Sequence, residues 1–346
     1  QADCLSRLSL EGESVTNTAR EADEAVGSIQ DVLEITNGTI TQEEWDEEMI
    51  KDTTLLKVKE MVLNGCPRES TVPISVRPYV KILEEMSVVE NSVLMRGEQF
   101  IPPVGIRTRL ISLAHEGHLG QTKTIQRLRK NWWWSGMDQE VTRWVERCQA
   151  CLDSEKRLKP GGGNNMEIHI KDPGKVWHAI CLDVMGPMNE LPSDQRFAVV
   201  VIDVHSKWIE VKFMREITTL ATITFLENLF KVEGVPVAMI TDNGTQLTST
   251  MMQKFIEKIG VRHQRTSLYN PQGNGIAERT VRIIKGTIQM ALMSNLPIRS
   301  TVQDMLWAYR TTPQTSLMKT PFELMRGRSP GMRLIPSWLR QLVDDP

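Results

Sequence analysis

Three carboxylates separated by long intervals are the residues of this 346-residue chain with the most chemical promise. Asp183 closes the segment VWHAICLDVMGP, Asp242 closes VPVAMITDNGTQ, and Glu278 sits in YNPQGNGIAERTVRIIKG. Between the first two lie 58 residues and between the last two 35. Carboxylates gathered at one spot repel one another and are costly to desolvate, so a convergent set requires a cation. Hard oxygen donors of this kind suit Mg²⁺ or Mn²⁺. Taken singly, each has a plainer reading as a strand-end cap or a solvated surface acid.

A second constellation precedes the first. His115 and His118 stand in LISLAHEGHLGQTKT, and Cys148 and Cys151 in WVERCQACLDSEK. Two imidazoles and two thiolates are a tetrahedral zinc set, and four protein ligands leave no open position for chemistry. The metal expected here is one structural Zn²⁺ whose binding is coupled to folding. A zincin helix needs histidines at i and i+4, which His-Glu-Gly-His does not supply. A redox C-x-x-C would follow a thioredoxin-like strand, whereas this one ends an amphipathic, Arg-rich segment. The remaining cysteines, Cys4, Cys66 and Cys181, are isolated, so the odd count describes no disulfide framework and suits a reducing compartment.

The elements that must carry the carboxylates can be read from apolar, β-branched runs bounded by Gly and Pro. Strands are expected over 176–184, 196–204, 208–213, 236–241 and 262–266, and helices over 219–232 and 249–259. A loop over 267–275 leads into the helix that bears Glu278. The order β-β-β-α-β-α-β-α fits a mixed α/β architecture. Arg282 and Lys285 follow Glu278 at i+4 and i+7 and share its helix face.

The flanks differ in character. Residues 1–52 carry 14 acidic and 3 basic side chains, a net of −11 against −2 for the whole chain, so the remainder is +9 and suits a polyanionic partner. The acidic leader 1–52 is expected to be disordered. A small cap region over 53–103, with one helix and strand-like pieces at 87–96 and 100–102, is followed by the zinc unit at 104–157. KRLKPGGGNN opens a flexible linker at 158–172, ahead of the carboxylate-bearing unit at 173–332 and a tail at 333–346. Within KTIQRLRKNWWWSGM, one or two of Trp132, Trp133 and Trp134 are expected in the core, and Lys123, Arg127, Arg129 and Lys130 are candidate phosphate contacts. Trp307, Tyr309 and Phe322 read as packing residues. No apolar run approaches the roughly 18 residues of a membrane span.

The carboxylate spacing, together with TDNG, NPQGNGxxER and the His-His-Cys-Cys set, resembles the D,D-35-E integrases of retroviruses and LTR retrotransposons, most closely the Ty3/gypsy type. That resemblance implies an RNase H-like catalytic core, a mixed five-stranded sheet with flanking helices, preceded by a small helical HHCC zinc-binding domain. It implies two catalytic Mg²⁺ or Mn²⁺ ions held by Asp183, Asp242 and Glu278, and 3′-end processing and strand transfer of element DNA into target DNA. Tyr269, Gln272, Asn274, Arg282 and Lys285 are its candidate DNA contacts. Double-stranded DNA, both element ends and target, and a second copy of the chain are the expected partners, with no membrane; action is expected in the nucleus after a cytoplasmic phase. QADCLSRLSL resembles the end of the RNase H region in gypsy-type Pol polyproteins, which makes the chain a fragment of one. Two positions depart from the family pattern: Ser135 replaces a usual Pro, and Met318-Lys319-Thr320 replaces a Thr-Gly pair before Pro321. About 15 residues follow the core, fewer than the carboxy-terminal DNA-binding domain of many integrases. The competing functions are a host-recruited, integrase-derived DNA- or chromatin-binding protein without catalysis, which would be marked by loss of a carboxylate, and a nuclease or transposase on the same fold.

Overall fold

In the acidic amino-terminal stretch, Trp45 and Met49 stand one helical turn apart, and that pair decides its structure. The computed structural model describes residues 40–65, 72–89, 93–152, 172–265, 275–314, 317–330 and 334–339. Helix α1 (Gln42–Lys51) buries Trp45 and Met49, takes its N-cap from the Thr41 hydroxyl, and sets Glu43 and Glu44 against the positive end of its dipole. The expected disorder therefore does not extend to residue 52: two buried apolar side chains anchor an otherwise charged helix, while residues 1–39 lie outside the described residues. Asp52 ends α1 and caps two further helices. Its Oδ1 accepts from Thr54 N and Leu55 N at the start of α2 (Thr53–Asn64), and its Oδ2 accepts from Val104 N at 3.1 Å, the first residue of α3 (Val104–His115).

Between α2 and α3 runs a three-stranded antiparallel sheet, β1 (Met86–Val89), β2 (Val93–Arg96) and β3 (Gln99–Phe100). The expected single strand over 87–96 is thus a hairpin, with Met86 opposite Arg96 and Val89 opposite Val93. After α3 come α4 (Gln121–Arg129) and α5 (Met137–Val145). One core joins all of these elements, and Trp132 lies at its centre, 5.5 Å from Phe100 and 6.2 Å from Trp45 between ring centroids. Trp132 and Trp134 are buried and Trp133 is half-buried against Tyr79 and the Arg96 guanidinium. The tryptophan run is packing, and cap and zinc regions are one body.

The second unit opens with a meander, β4 (Ala179–Met185), β5 (Phe197–Asp203) and β6 (Ile209–Met214), then α6 (Thr219–Glu233), β7 (Ala238–Thr241), α7 (Thr250–Ile259) and β8 (Arg262–Arg265). Helices α8 (Gly275–Met293), α9 (Ile298–Arg310) and α10 (Pro321–Arg326) complete it. The sheet order is β6-β5-β4-β7-β8, antiparallel across β6-β5-β4 and parallel across β4-β7-β8. This is the RNase H-like arrangement, and the expected strands match it to within three residues at each end. Strand alternation fills both faces. Ile180, Leu182, Val199, Val201 and Met239 meet α6 and α7 on one side. Cys181, Val200, Ile202 and Ile240 meet α8 and α9 on the other. Across the outer strand, the Arg310 and Arg326 guanidiniums lie 4.2 and 4.9 Å from the Trp208 ring centroid, tying α9 and α10 to the sheet.

The two units are docked. Gly117 lies so close to α9 that an added Cβ would stand 2.3 Å from that of Ala308. Lys123 Nζ donates to Gln314 Oε1 at 3.1 Å, and Lys130 pairs with Glu323 at 2.5 Å. The linker expected at 158–172 falls almost wholly outside the described residues, but the bodies it joins share a contact surface. The tail reinforces it: Leu334 and Leu339 are buried in the amino-terminal core, and Trp338 Nε1 donates to Ile40 O at 3.1 Å. Among the described residues no helix is long and apolar enough to cross a membrane. Leu339→Ala is expected to destabilise the amino-terminal unit by about 2–4 kcal/mol, as for other fully buried leucines. Tryptophan fluorescence during denaturant unfolding checks this; an unmoved midpoint would mean that the tail does not fill that core.

Candidate metal centres and nucleic acid interface

His115 ends α3, and His118 follows in the left-handed region with φ 48°, its N–H donating to His115 O. Cys148 follows the turn after α5, and Cys151 lies in the helical residues 149–152 beyond it. The four ligand atoms lie within 4.8 Å of one another. Cys151 Sγ is 3.2 Å from His115 Nε2, and His118 Nδ1 is 3.5 Å from both sulfurs. A tetrahedron with metal–ligand bonds of about 2.0–2.3 Å has its corners about 3.3–3.8 Å apart, so this donor set fits such an ion.

A residue that sequence reasoning missed fixes the first imidazole. The Thr124 hydroxyl donates to Gly120 O at 2.9 Å and lies 3.0 Å from His115 Nδ1. With its single proton on Gly120, the oxygen accepts, which assigns the His115 proton to Nδ1 and turns the Nε2 lone pair towards the cysteines. Thr124 is nine residues from His115, so no local spacing announces it. Burial, with the neighbouring His118, pushes the His115 pKa down to about 4, and burial lowers that of His118. Both rings are therefore neutral at pH 7, the form that ligates. Trp144 stands edge-on to His115 at 5.2 Å and closes the site.

The first two carboxylates are brought together by strand register. β4 and β7 are parallel neighbours with Leu182 opposite Thr241, so Asp183 and Asp242 are the next residues along at the same edge of the sheet. Asp183 shares the parity of Ala179, Cys181 and Met185, whose side chains pack on the α8 and α9 side. Both acids are half-buried. Asp183 Oδ1 accepts from Val184 N at 2.8 Å, and Asp242 Oδ1 accepts from Gly244 N at 3.0 Å. A Cβ at Gly244 would meet only side-chain ends, Gln246 Nε2 at 2.6 Å and Asp242 Oδ1 at 3.1 Å. Glu278 lies in the first turn of α8; its side chain is outside the described residues. Helix α8 packs its Ile284, Ile288 and Ala291 on the same sheet face. The donors, all carboxylate oxygens, suit a hard divalent cation. Cys181, fully buried beside them, has its thiol pushed up to about 12 by burial and is no nucleophile.

Asp203 is a carboxylate with a different task. It is fully buried at the far end of β5, where its oxygens accept from Trp177 N, Ser206 N and Ser206 Oγ. Those donors saturate it as a turn anchor.

Of the candidate DNA contacts, Arg282 and Lys285 are exposed on α8, whereas Tyr269, Gln272 and Asn274 lie outside the described residues. The basic residues of the zinc unit are otherwise engaged. Arg127 is buried and donates to Ala114 O, Arg129 pairs with Asp138, and Lys123 and Lys130 bind the second unit. Of these four, Arg127 is withdrawn as a phosphate contact, because its guanidinium is inside.

Comparison with known proteins falls on the same two units. The integrase zinc binding domain model matches residues 102–157 and the integrase core domain model residues 171–271. An uncharacterized protein of Caenorhabditis elegans, K02A2.6, is 28% identical over 290 residues, 84% of this chain and 22% of that protein. The Pro-Pol polyprotein of feline foamy virus is 24% identical over 295 residues, 83% of this chain and 24% of its own length. The chain thus spans about a quarter of these curated relatives. Among solved structures, the simian T-cell lymphotropic virus intasome, in complex with PP2A regulatory subunit B56 gamma, overlays with 22% identity and TM-score 0.42, covering 64% of this chain and 76% of that one. The HTLV-2 integrase catalytic core domain in complex with magnesium overlays with 22% identity and TM-score 0.37, covering 44% of this chain and 98% of that one. With a tetrahedral donor set inside one match and an RNase H-like sheet inside the other, the chain carries an integrase zinc-binding domain followed by an integrase core domain.

Proposed function

We propose that this chain is the integrase part of a Ty3/gypsy-type LTR-retrotransposon Pol polyprotein, a D,D-35-E polynucleotidyl transferase that trims the 3′ ends of element DNA and joins them to target DNA. The observation that carries the reading is the register of β4 and β7, which sets Asp183 and Asp242 side by side. Glu278 completes the set from α8. Together they would hold two Mg²⁺ or Mn²⁺ ions, which when bound neutralise charge that develops on the oxygens around the reacting phosphorus.

The chain's own residues do the rest. The bond that forms joins phosphorus to the oxygen of water or of a DNA 3′-hydroxyl, and the bond that breaks releases the 3′-oxygen of the cut strand. No protein nucleophile is needed, and Cys181 offers none. Arg282 and Lys285 extend from the Glu278 end of α8 as exposed cations for a phosphate backbone. The HHCC site would hold one Zn²⁺ with a structural task. Double-stranded DNA and further copies of this chain are the proposed partners, and the nucleus the proposed place of action.

Strand transfer with Mg²⁺ and oligonucleotides ending in the element's terminal sequence tests the reading. Glu278→Gln should lower the rate at least about a hundredfold, since lost metal-ion stabilisation is worth several kcal/mol. Equal rates would remove Glu278 from the chemistry, and DNA binding without joining by the wild type would favour the non-catalytic, host-recruited protein. Arg282→Ala with Lys285→Ala should reduce the slope of log affinity against log salt by about two, one for each phosphate contact, in fluorescence anisotropy. An unchanged slope would place DNA elsewhere. Thr124→Val should weaken zinc about 10–100-fold in a chelator competition, the usual cost of losing a partner behind a ligating imidazole. Unchanged affinity would mean that Thr124 does not orient His115.

A further inference from the structure

Behind Asp242 lies a hydrogen-bonded relay that the proposed chemistry leaves unexplained. Thr241, the last residue of β7, is fully buried, and its hydroxyl donates to the main-chain carbonyl of Asp242 at 2.8 Å. On its other side, also at 2.8 Å, is His263 Nε2. A hydroxyl has one proton; with that proton on Asp242, the Thr241 oxygen accepts and His263 donates from Nε2. His263 stands opposite Met239 in the parallel β7–β8 pair, which makes it a diagonal neighbour of Thr241 on one sheet face. Met239 packs with α6 and α7, so this is the face turned away from α8. Burial and the adjacent Arg265 lower the His263 pKa, consistent with a neutral ring that keeps one N–H.

Asp242 is thereby held at two points. Its carbonyl is bound from the back face by Thr241, and its Oδ1 from the front by Gly244 N. Oδ2 takes part in neither bond. A carboxylate one residue beyond the end of a strand otherwise has a main chain without ladder partners to fix its direction.

We propose that His263 is a positioning residue for cation binding at Asp242, acting through the Thr241 hydroxyl on the main chain from which the carboxylate projects. The inference rests on the reading of Asp242 as a metal ligand. Without the His263 donor, the Thr241 hydroxyl turns to other partners and the carbonyl anchor loosens. A bond that served only to hold β8 to β7 would change folding stability and leave cation affinity alone.

The test is Mn²⁺ titration of the zinc-loaded full chain, reading free Mn²⁺ by electron paramagnetic resonance, with Asp242→Asn defining the site. His263→Phe should raise the Mn²⁺ Kd about tenfold, at the lower end of what a lost outer partner costs. His263→Gln, whose amide nitrogen can donate from nearly the same place, should restore affinity to within about twofold of wild type. Thr241→Val should match His263→Phe, and the double variant should be no weaker than either single one, because both cut the same relay. If His263→Phe lowers the melting temperature, Thr241→Val against Thr241→Ser carries the comparison. Wild-type affinity in His263→Phe, a glutamine as weak as the phenylalanine, or losses that multiply would each overturn the positioning role. A wild type with no Mn²⁺ site removable by Asp242→Asn would instead overturn the metal reading itself.

Discussion

Two carboxylates in register on neighbouring parallel strands are a repulsion that the fold has to contain. Like charges held on adjacent strands cost free energy that water only partly screens. Half-burial of Asp183 and Asp242 keeps water from screening that cost in full. A divalent cation would turn the same geometry from a liability into a binding site, and much of the second unit can be understood as what keeps the pair in place. The parallel pairing of β4 with β7 sets the register, the Gly244 N–H bonds Asp242 Oδ1, and α8 covers the face to which Asp183 belongs.

The zinc unit solves the opposite problem. Its donors are two cysteine sulfurs together with two imidazoles that burial keeps neutral, and four protein donors leave no position for a substrate. What it contributes is shape. Two lysines that a charge-based reading assigns to DNA also hold it to the second unit, Lys123 on Gln314 and Lys130 on Glu323, and the tail returns to fill its core. The structure therefore couples the HHCC unit to the helices that follow the five-stranded sheet, through contacts far apart in the chain.

Much of this was legible in sequence, and the exceptions have physical causes. The catalytic strands announce themselves because a sheet covered on both faces must be built from unbroken β-branched runs such as FAVVVID. The His115, His118, Cys148 and Cys151 cluster was legible because few residue types bind metal and each His or Cys pair is closely spaced. Helix α1 was hidden since only two of its ten residues are buried and the rest, apart from the exposed Ile50, are polar. The 87–96 segment concealed its hairpin because both arms are apolar and no two-residue turn signal separates them. Thr124 and the docking lysines could not be read at all: their partners are 9 to about 190 residues away, and hydrogen bonding at that range leaves no periodic trace. Trp338, which reaches back to Ile40 across almost the whole chain, is the extreme case.

Anomalous diffraction from crystals soaked in Mn²⁺ tests the central claim most directly. A peak is expected between Asp183 and Asp242, about 2–2.5 Å from an oxygen of each, with Glu278 within reach of the same ion. Ordered carboxylates at that edge of the sheet with no manganese between them, at a concentration that fills other sites in the crystal, would contradict it.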